Sequence, residues 1–220
     1  MIGFPIASRI LFRDLKPSNV GFDAKGHVRL FDFGLAKELL RKNRVDIDAY
    51  RLTGATGSPR YMAPEVQLCL PYGKASDVYS FGILSWQVAS LQTPYAKLSN
   101  QKLFTQVVDQ KKRPARSQLS WLSRRLQSLV QECWAHSPND RPGFEVIMGI
   151  LGDELGSIKD ASSDESSVRR VQQVLRVLEK DPDMNEEEQD DDDMSWLSTE
   201  LEPQTAPSSF SNVSREIKAN

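Results

Sequence analysis

The chain has 220 residues, 39% of them hydrophobic and 26% charged, with a net charge of −2. That is enough for one sizeable core and is ordinary for a soluble protein, which excludes fibrous and low-complexity classes. No apolar run is long enough to span a bilayer, so no membrane partner is expected, and no nucleic-acid partner is expected either.

The even charge hides an asymmetry. Residues 1–156 carry 21 Lys and Arg against 14 Asp and Glu, whereas residues 157–220 carry seven against 16. A basic body with an acidic tail is expected, the tail either solubilising the body, folding back on it or binding a partner. Cys69 and Cys133 stand alone without a CxxC pair, as in a reducing, cytoplasmic compartment. Residues 1–8 are a short apolar leader without a basic start or cleavage site, so no signal peptide is read.

Ile10-Leu11-Phe12 has the pattern of a short buried strand. Val20-Gly21-Phe22 and Val28-Arg29-Leu30-Phe31 flank Asp23-Ala24-Lys25-Gly26, whose chemistry is that of a hairpin turn. Antiparallel return of the chain would bring Asp32 back towards Asn19. Residues 35–60 lack periodicity and read as a long functional loop, closed by Tyr61-Met62-Ala63-Pro64-Glu65.

From Ser76 the pattern is helical. Val78, Phe81, Leu84 and Val88 recur on one face, and Ile83 and Trp86 widen it. Leu103 and Val107 mark a shorter helix, and Leu122, Leu126, Leu129, Val130 and Cys133 another, ending at Trp134. Phe144, Ile147, Met148 and Leu151 trace a last helix, with Pro142 suited to its start. Residues 157–180 read as a linker holding a short amphipathic helix with Val168, Val171, Val174, Leu175 and Leu178 as its stripe. Residues 181–220 contain Glu186–Glu188 and Asp190–Asp193 and read as an acidic disordered tail.

Two short stretches carry chemistry: Phe12-Arg13-Asp14-Leu15-Lys16-Pro17-Ser18-Asn19, and Asp32-Phe33-Gly34. Phosphoryl transfer needs a group to orient the attacking hydroxyl, a cation on the moving phosphate and oxygen ligands for magnesium. An aspartate, a lysine, an asparagine and a second aspartate supply that set.

With Ala63-Pro64-Glu65, Asp77-Val78-Tyr79-Ser80-Phe81-Gly82, Cys133-Trp134 and Asn139-Asp140-Arg141-Pro142 in this order, residues 9–152 resemble the C-terminal lobe of eukaryotic protein kinases. The resemblance implies a mainly α fold with a short β-hairpin at the catalytic loop, occupying residues 9–156. It implies transfer from ATP, with Mg2+, to protein substrates. Asp14 would be the catalytic aspartate, Lys16 the cation on the phosphate, and Asn19 and Asp32 the metal ligands. Gly34 would permit unusual backbone angles. Arg13 would meet a phosphorylated loop, with Thr53 and Thr56, then Tyr50, as candidate targets of an upstream kinase. Glu65 and Arg141 would form a buried ion pair, and Asp77 would hold the catalytic loop's backbone. Lys16 two residues after Asp14, together with Ser58 in Gly57-Ser58-Pro59-Arg60-Tyr61, points to serine/threonine specificity. The segment around Trp134 looks closer to tyrosine-kinase-like serine/threonine kinases.

The chain departs from the family at Phe12, where histidine is usual, and this side chain is expected to pack rather than titrate. Only eleven residues precede Phe12. The glycine-rich loop, strand lysine and hinge of an N-terminal lobe are therefore not seen. The expectation is a kinase fragment inactive on its own, with a kinase-derived binding module or an enzyme completed by another chain as the alternatives.

Overall fold

The computed structural model describes residues 9–161. The leader, the stripe of residues 168–178 and the acidic tail lie outside the described residues.

The first strand, β1 (Ile10–Leu11), pairs antiparallel with β4 (Lys37–Glu38). It buries Leu11 and leaves Ile10 exposed. Between them, β2 (Val20–Phe22) and β3 (Val28–Leu30) form the expected hairpin, Val20 opposite Leu30. Asp23 closes its turn. The carboxylate takes the N–H groups of Lys25 and His27 and the Arg29 guanidinium. Those bonds hold its carboxyl below the usual range. Residues 35–60 are more ordered than expected from their lack of periodicity. Besides β4 they hold β5 (Arg44–Asp46) paired with β6 (Ala49–Tyr50). Two- and three-residue strands leave no period to read, so two further small pairs join the expected hairpin, giving three antiparallel pairs among the described residues.

Helix α1 (Pro64–Gln67) closes this segment, and α2 (Lys74–Ser90) runs through the centre. The stripe expected on α2 is only partly right. Val78 is buried, but Val88 is 67% exposed, and the main core is entered by Tyr79, Ile83 and Trp86. The helix is packed on two sides, so its apolar residues do not fall on one stripe. Val78 and Phe81 face a second cluster with Leu129, Cys133 and Ile147. A Cβ on Gly82 would lie 2.8 Å from Cys133 Cβ, so glycine there sets how closely the next long helix approaches.

Helix α3 (Asn100–Phe104) runs into a π-helical turn at Thr105–Asp109 that buries Val107. Helix α4 (Arg124–Cys133) starts on the Ser123 hydroxyl, which accepts the Leu126 N–H. Helix α5 (Phe144–Ala161) starts two residues after Pro142 and runs five residues past Gly156. Ile147 is its buried anchor, whereas Met148 and Leu151, which trace the same helix in the sequence, are exposed. No helix among the described residues is long and apolar enough to cross a membrane.

Candidate active site

The loop after β1 is clamped from a distance. Asp77, in the first turn of α2, accepts the N–H of Phe12 on Oδ2 at 2.7 Å and that of Arg13 on Oδ1 at 2.8 Å. This holds Arg13 at φ 72°, a left-handed conformation that a non-glycine residue adopts only when its surroundings insist. Burial pushes the Asp77 carboxyl up from 3.8 to about 6, against the opposing effect of those two N–H donors.

The clamp delivers Asp14 into a buried polar nest. Its Oδ1 accepts the Ser58 N–H at 3.0 Å and the Ser58 hydroxyl at 2.8 Å. Its Oδ2 accepts Asn19 Nδ2 at 2.9 Å, and Lys16 Nζ lies 3.7 Å from the same oxygen. The Asn19 amide also donates to the Asp14 carbonyl at 2.9 Å. Asp14, Lys16, Asn19 and Ser58 are all buried. Lys16, Asn19 and Ser58, the last of them 44 positions from Asp14, thus share its one carboxylate.

The hairpin returns as expected. The Phe31 N–H donates to the Asn19 carbonyl at 2.9 Å, and the chain then turns left-handed at Asp32, φ 51°. Asp32 is exposed and its Oδ1 caps the Gly34 N–H at 3.0 Å. The unusual backbone angle therefore sits on Asp32, not on Gly34 as expected. Gly34 contributes space, since a Cβ there would lie 3.1 Å from Asp32 Oδ1. Phe33 meets Phe12 edge to face at 5.3 Å between ring centroids, so Phe12 packs, as its chemistry implied.

A protein kinase domain model matches residues 6–150 of this chain. The chain belongs to the eukaryotic protein kinase family. It is 41% identical over 143 residues to the dual specificity protein kinase shkB of Dictyostelium discoideum, covering 64% of this chain and 21% of that protein. It is 34% identical over 143 residues to the serine/threonine-protein kinase CTR1 of Arabidopsis thaliana, covering 64% of this chain and 16% of that protein. The serine/threonine-protein kinase VIK of Arabidopsis thaliana is 36% identical over 144 residues, 64% of this chain and 32% of that protein. The chain thus spans a third or less of the length of these curated kinases.

Around the loop after β1 the remaining expected residues fall into place unevenly. Glu65 and Arg141 form a two-pronged buried pair, Oε1 at 2.6 Å and Oε2 at 2.8 Å. Arg141 also donates to the carbonyls of Ala75, Ala135 and His136, so one guanidinium joins α1, the start of α2 and the chain after α4. Thr53 and Thr56 do not meet Arg13 through their hydroxyls. The Thr56 hydroxyl turns onto the carbonyls of Thr53 and Gly54, while Thr53 is exposed.

Tyr72 is the residue that sequence reasoning missed. Its buried hydroxyl accepts Arg13 Nη1 at 3.2 Å and donates to the Thr53 carbonyl at 2.6 Å. Its main chain pairs in both directions with Tyr50. Arg13 Nε donates to the Leu35 carbonyl at 2.6 Å. The arginine expected to meet a phosphate is therefore tied to the loop through a neutral phenol. A lone tyrosine between Pro71 and Gly73 has no periodic signal that would have marked it.

Gly57 is needed for a reason that the sequence did not show. It sits at φ 106°, and a Cβ there would lie 2.3 Å from the Arg13 carbonyl. This close approach lets Ser58 reach Asp14.

Proposed function

We propose that this site is the catalytic centre of a magnesium-dependent protein serine/threonine kinase, of which the described residues form the C-terminal lobe. The observation that carries the reading is the Asp14 carboxylate, gripped by Ser58 and Asn19 with the Lys16 ammonium alongside. A buried, oriented carboxylate suits Asp14 to align a substrate hydroxyl and take its proton, and Lys16 to offset charge on the moving phosphate. ATP would be the phosphate donor. Ser58 on Asp14 and Lys16 two residues on support serine or threonine as acceptor, in line with the names of several relatives.

The donor set fits Mg2+. Both Asn19 amide hydrogens are used inward, so its carbonyl oxygen is the atom left to face a cation, and Asp32 is an exposed carboxylate. Among the described residues no three His, Cys, Asp or Glu cluster as a self-sufficient metal site. Mg2+ is the hard cation that accepts few protein oxygens and completes its shell with water and phosphate. When bound, it would supply charge neutralisation at the phosphates. In this reading Gly34 shapes the Asp32 turn, Asp77 and the Glu65–Arg141 pair hold the lobe, and exposed Thr53 is the better placed hydroxyl for an upstream kinase. Free thiols at Cys69 and Cys133 support a cytoplasmic setting.

A chimera tests the proposal. Residues 9–152 replace the matching segment in the kinase domain of shkB, and phosphate transfer from ATP to a protein substrate is measured. Transfer at serine or threonine is expected to fall by about 10²–10⁴ in Asp14→Asn and to vanish without Mg2+. A folded chimera with no transfer would sink the catalytic reading and leave a binding module.

A further inference from the structure

Met148, Leu151 and Leu155 are 65%, 40% and 53% exposed on α5. Spaced by three and four residues, they form one contiguous apolar stripe about two turns long, beside the face that carries buried Ile147. Single exposed apolar side chains are ordinary, but an aligned stripe on one helix marks a surface that something covers.

We propose that residues 168–178 of the same chain dock on this stripe as an antiparallel helix. Three observations select that occupant, and none depends on the kinase reading. The first is pattern. Val168, Val171, Val174, Leu175 and Leu178 recur at helical spacing and would make one apolar stripe. Ser167 stands just ahead of them, a residue type suited to capping a helix start.

The second is reach and register. The described part of helix α5 runs to Ala161, and six residues, 162–167, all Ser, Asp or Glu, lie between it and the segment. Six residues is an ordinary connection between antiparallel helices. With both helices rising at the same pitch, positions equally far from the middle of the connection lie abreast. In the proposed pairing Leu155 would lie abreast of Val174, and Leu151 of Leu178.

The third is charge. Helix α5 holds Glu145 and Glu154 beside Asp153, which is paired with Arg125 at 2.8 Å, and has one base, Lys159, near its described end, whereas residues 168–178 hold Arg169, Arg170 and Arg176 and no acid. Glu145 and Glu154 lie on opposite flanks of the α5 stripe by helical geometry, which places acids at its rim. A short tether also keeps the segment at an effective concentration of about millimolar, which favours it over a second copy of the chain.

The test uses the full chain with Cys69→Ser, to remove the exposed thiol, and cysteines at Leu151 and Leu178. Mild oxidation is expected to join them within one chain. A control pair at Gly149 and Leu178 is expected not to join, because Gly149 lies round the helix from the stripe with nothing within 4 Å of a built Cβ. As a second measurement, Leu175→Asp, which leaves every described contact in place, should speed amide exchange over residues 148–157 by about tenfold. Equal joining of both pairs, no joining, joining only between chains, or unchanged exchange in the Leu175→Asp protein would each overturn the proposal.

Discussion

Ser58 and Asp14 are joined twice: the Ser58 N–H at 3.0 Å and the Ser58 hydroxyl at 2.8 Å both end on Asp14 Oδ1. One residue therefore ties the loop after β6 to the carboxylate at the centre of the site. Ser58→Ala removes the hydroxyl bond and leaves the main-chain one. A hydrogen bond to a charged group contributes about 1.5–3 kcal/mol. The variant should lose stability of that order in denaturant unfolding, and in the shkB chimera should transfer phosphate more slowly. Equal stability and rate would show that the hydroxyl neither holds the loop nor orients Asp14.

The Asp77 clamp should appear in the pH dependence of stability. Its carboxyl is raised from 3.8 to about 6 by burial, so the native state holds that proton more tightly than the unfolded chain does. This contribution is fully present below pH 3.8 and is lost as pH rises through about 6. The stability of the native sequence relative to Asp77→Asn should therefore fall between pH 4 and pH 6 by about 2–3 kcal/mol. Unfolding curves taken at half-unit steps give the difference, and a flat one would remove Asp77 as the titrating group.

Removing one partner of the Glu65–Arg141 pair leaves the other buried without its counter-charge. Glu65→Ala should cost about 3–5 kcal/mol. Replacing both, as Glu65→Leu with Arg141→Met, should cost less than the sum of the two single changes, because no charge is stranded. A thermal or denaturant double-mutant cycle reads the coupling, and additivity would mean that the pair is not coupled.

Tyr72→Phe keeps the buried ring and deletes the oxygen between Arg13 and Thr53. The Arg13 fork loses one acceptor and the Thr53 carbonyl loses its donor. A loss of about 1–2 kcal/mol should come with faster amide exchange confined to residues 49–57. Exchange that is faster everywhere would indicate general destabilisation rather than release of this loop.

Much of the candidate site was legible because its groups lie in short runs of sequence. Asp14, Lys16 and Asn19 lie within six residues, and their proximity follows from chain connectivity. The hairpin to Asp32 was readable from its turn residues. The small strands β4, β5 and β6 were not, since elements of two or three residues carry no period. The face of α2 was misread at Val88 because a helix buried on two sides has no single stripe.

The sequence by itself determined which chemical groups are present, their order, and the local turns that bring neighbours together. It also exposed the clash between a basic body and an acidic end. Only the tertiary structure decided which distant groups meet. Asp77 reaches Phe12 and Arg13, Ser58 reaches Asp14, Arg141 reaches Glu65, and Tyr72 stands where a phosphate was expected. These contacts join residues 44 to 76 positions apart. Their existence depends on how helices pack around α2, and packing is a property of the whole core rather than of any stretch of chain.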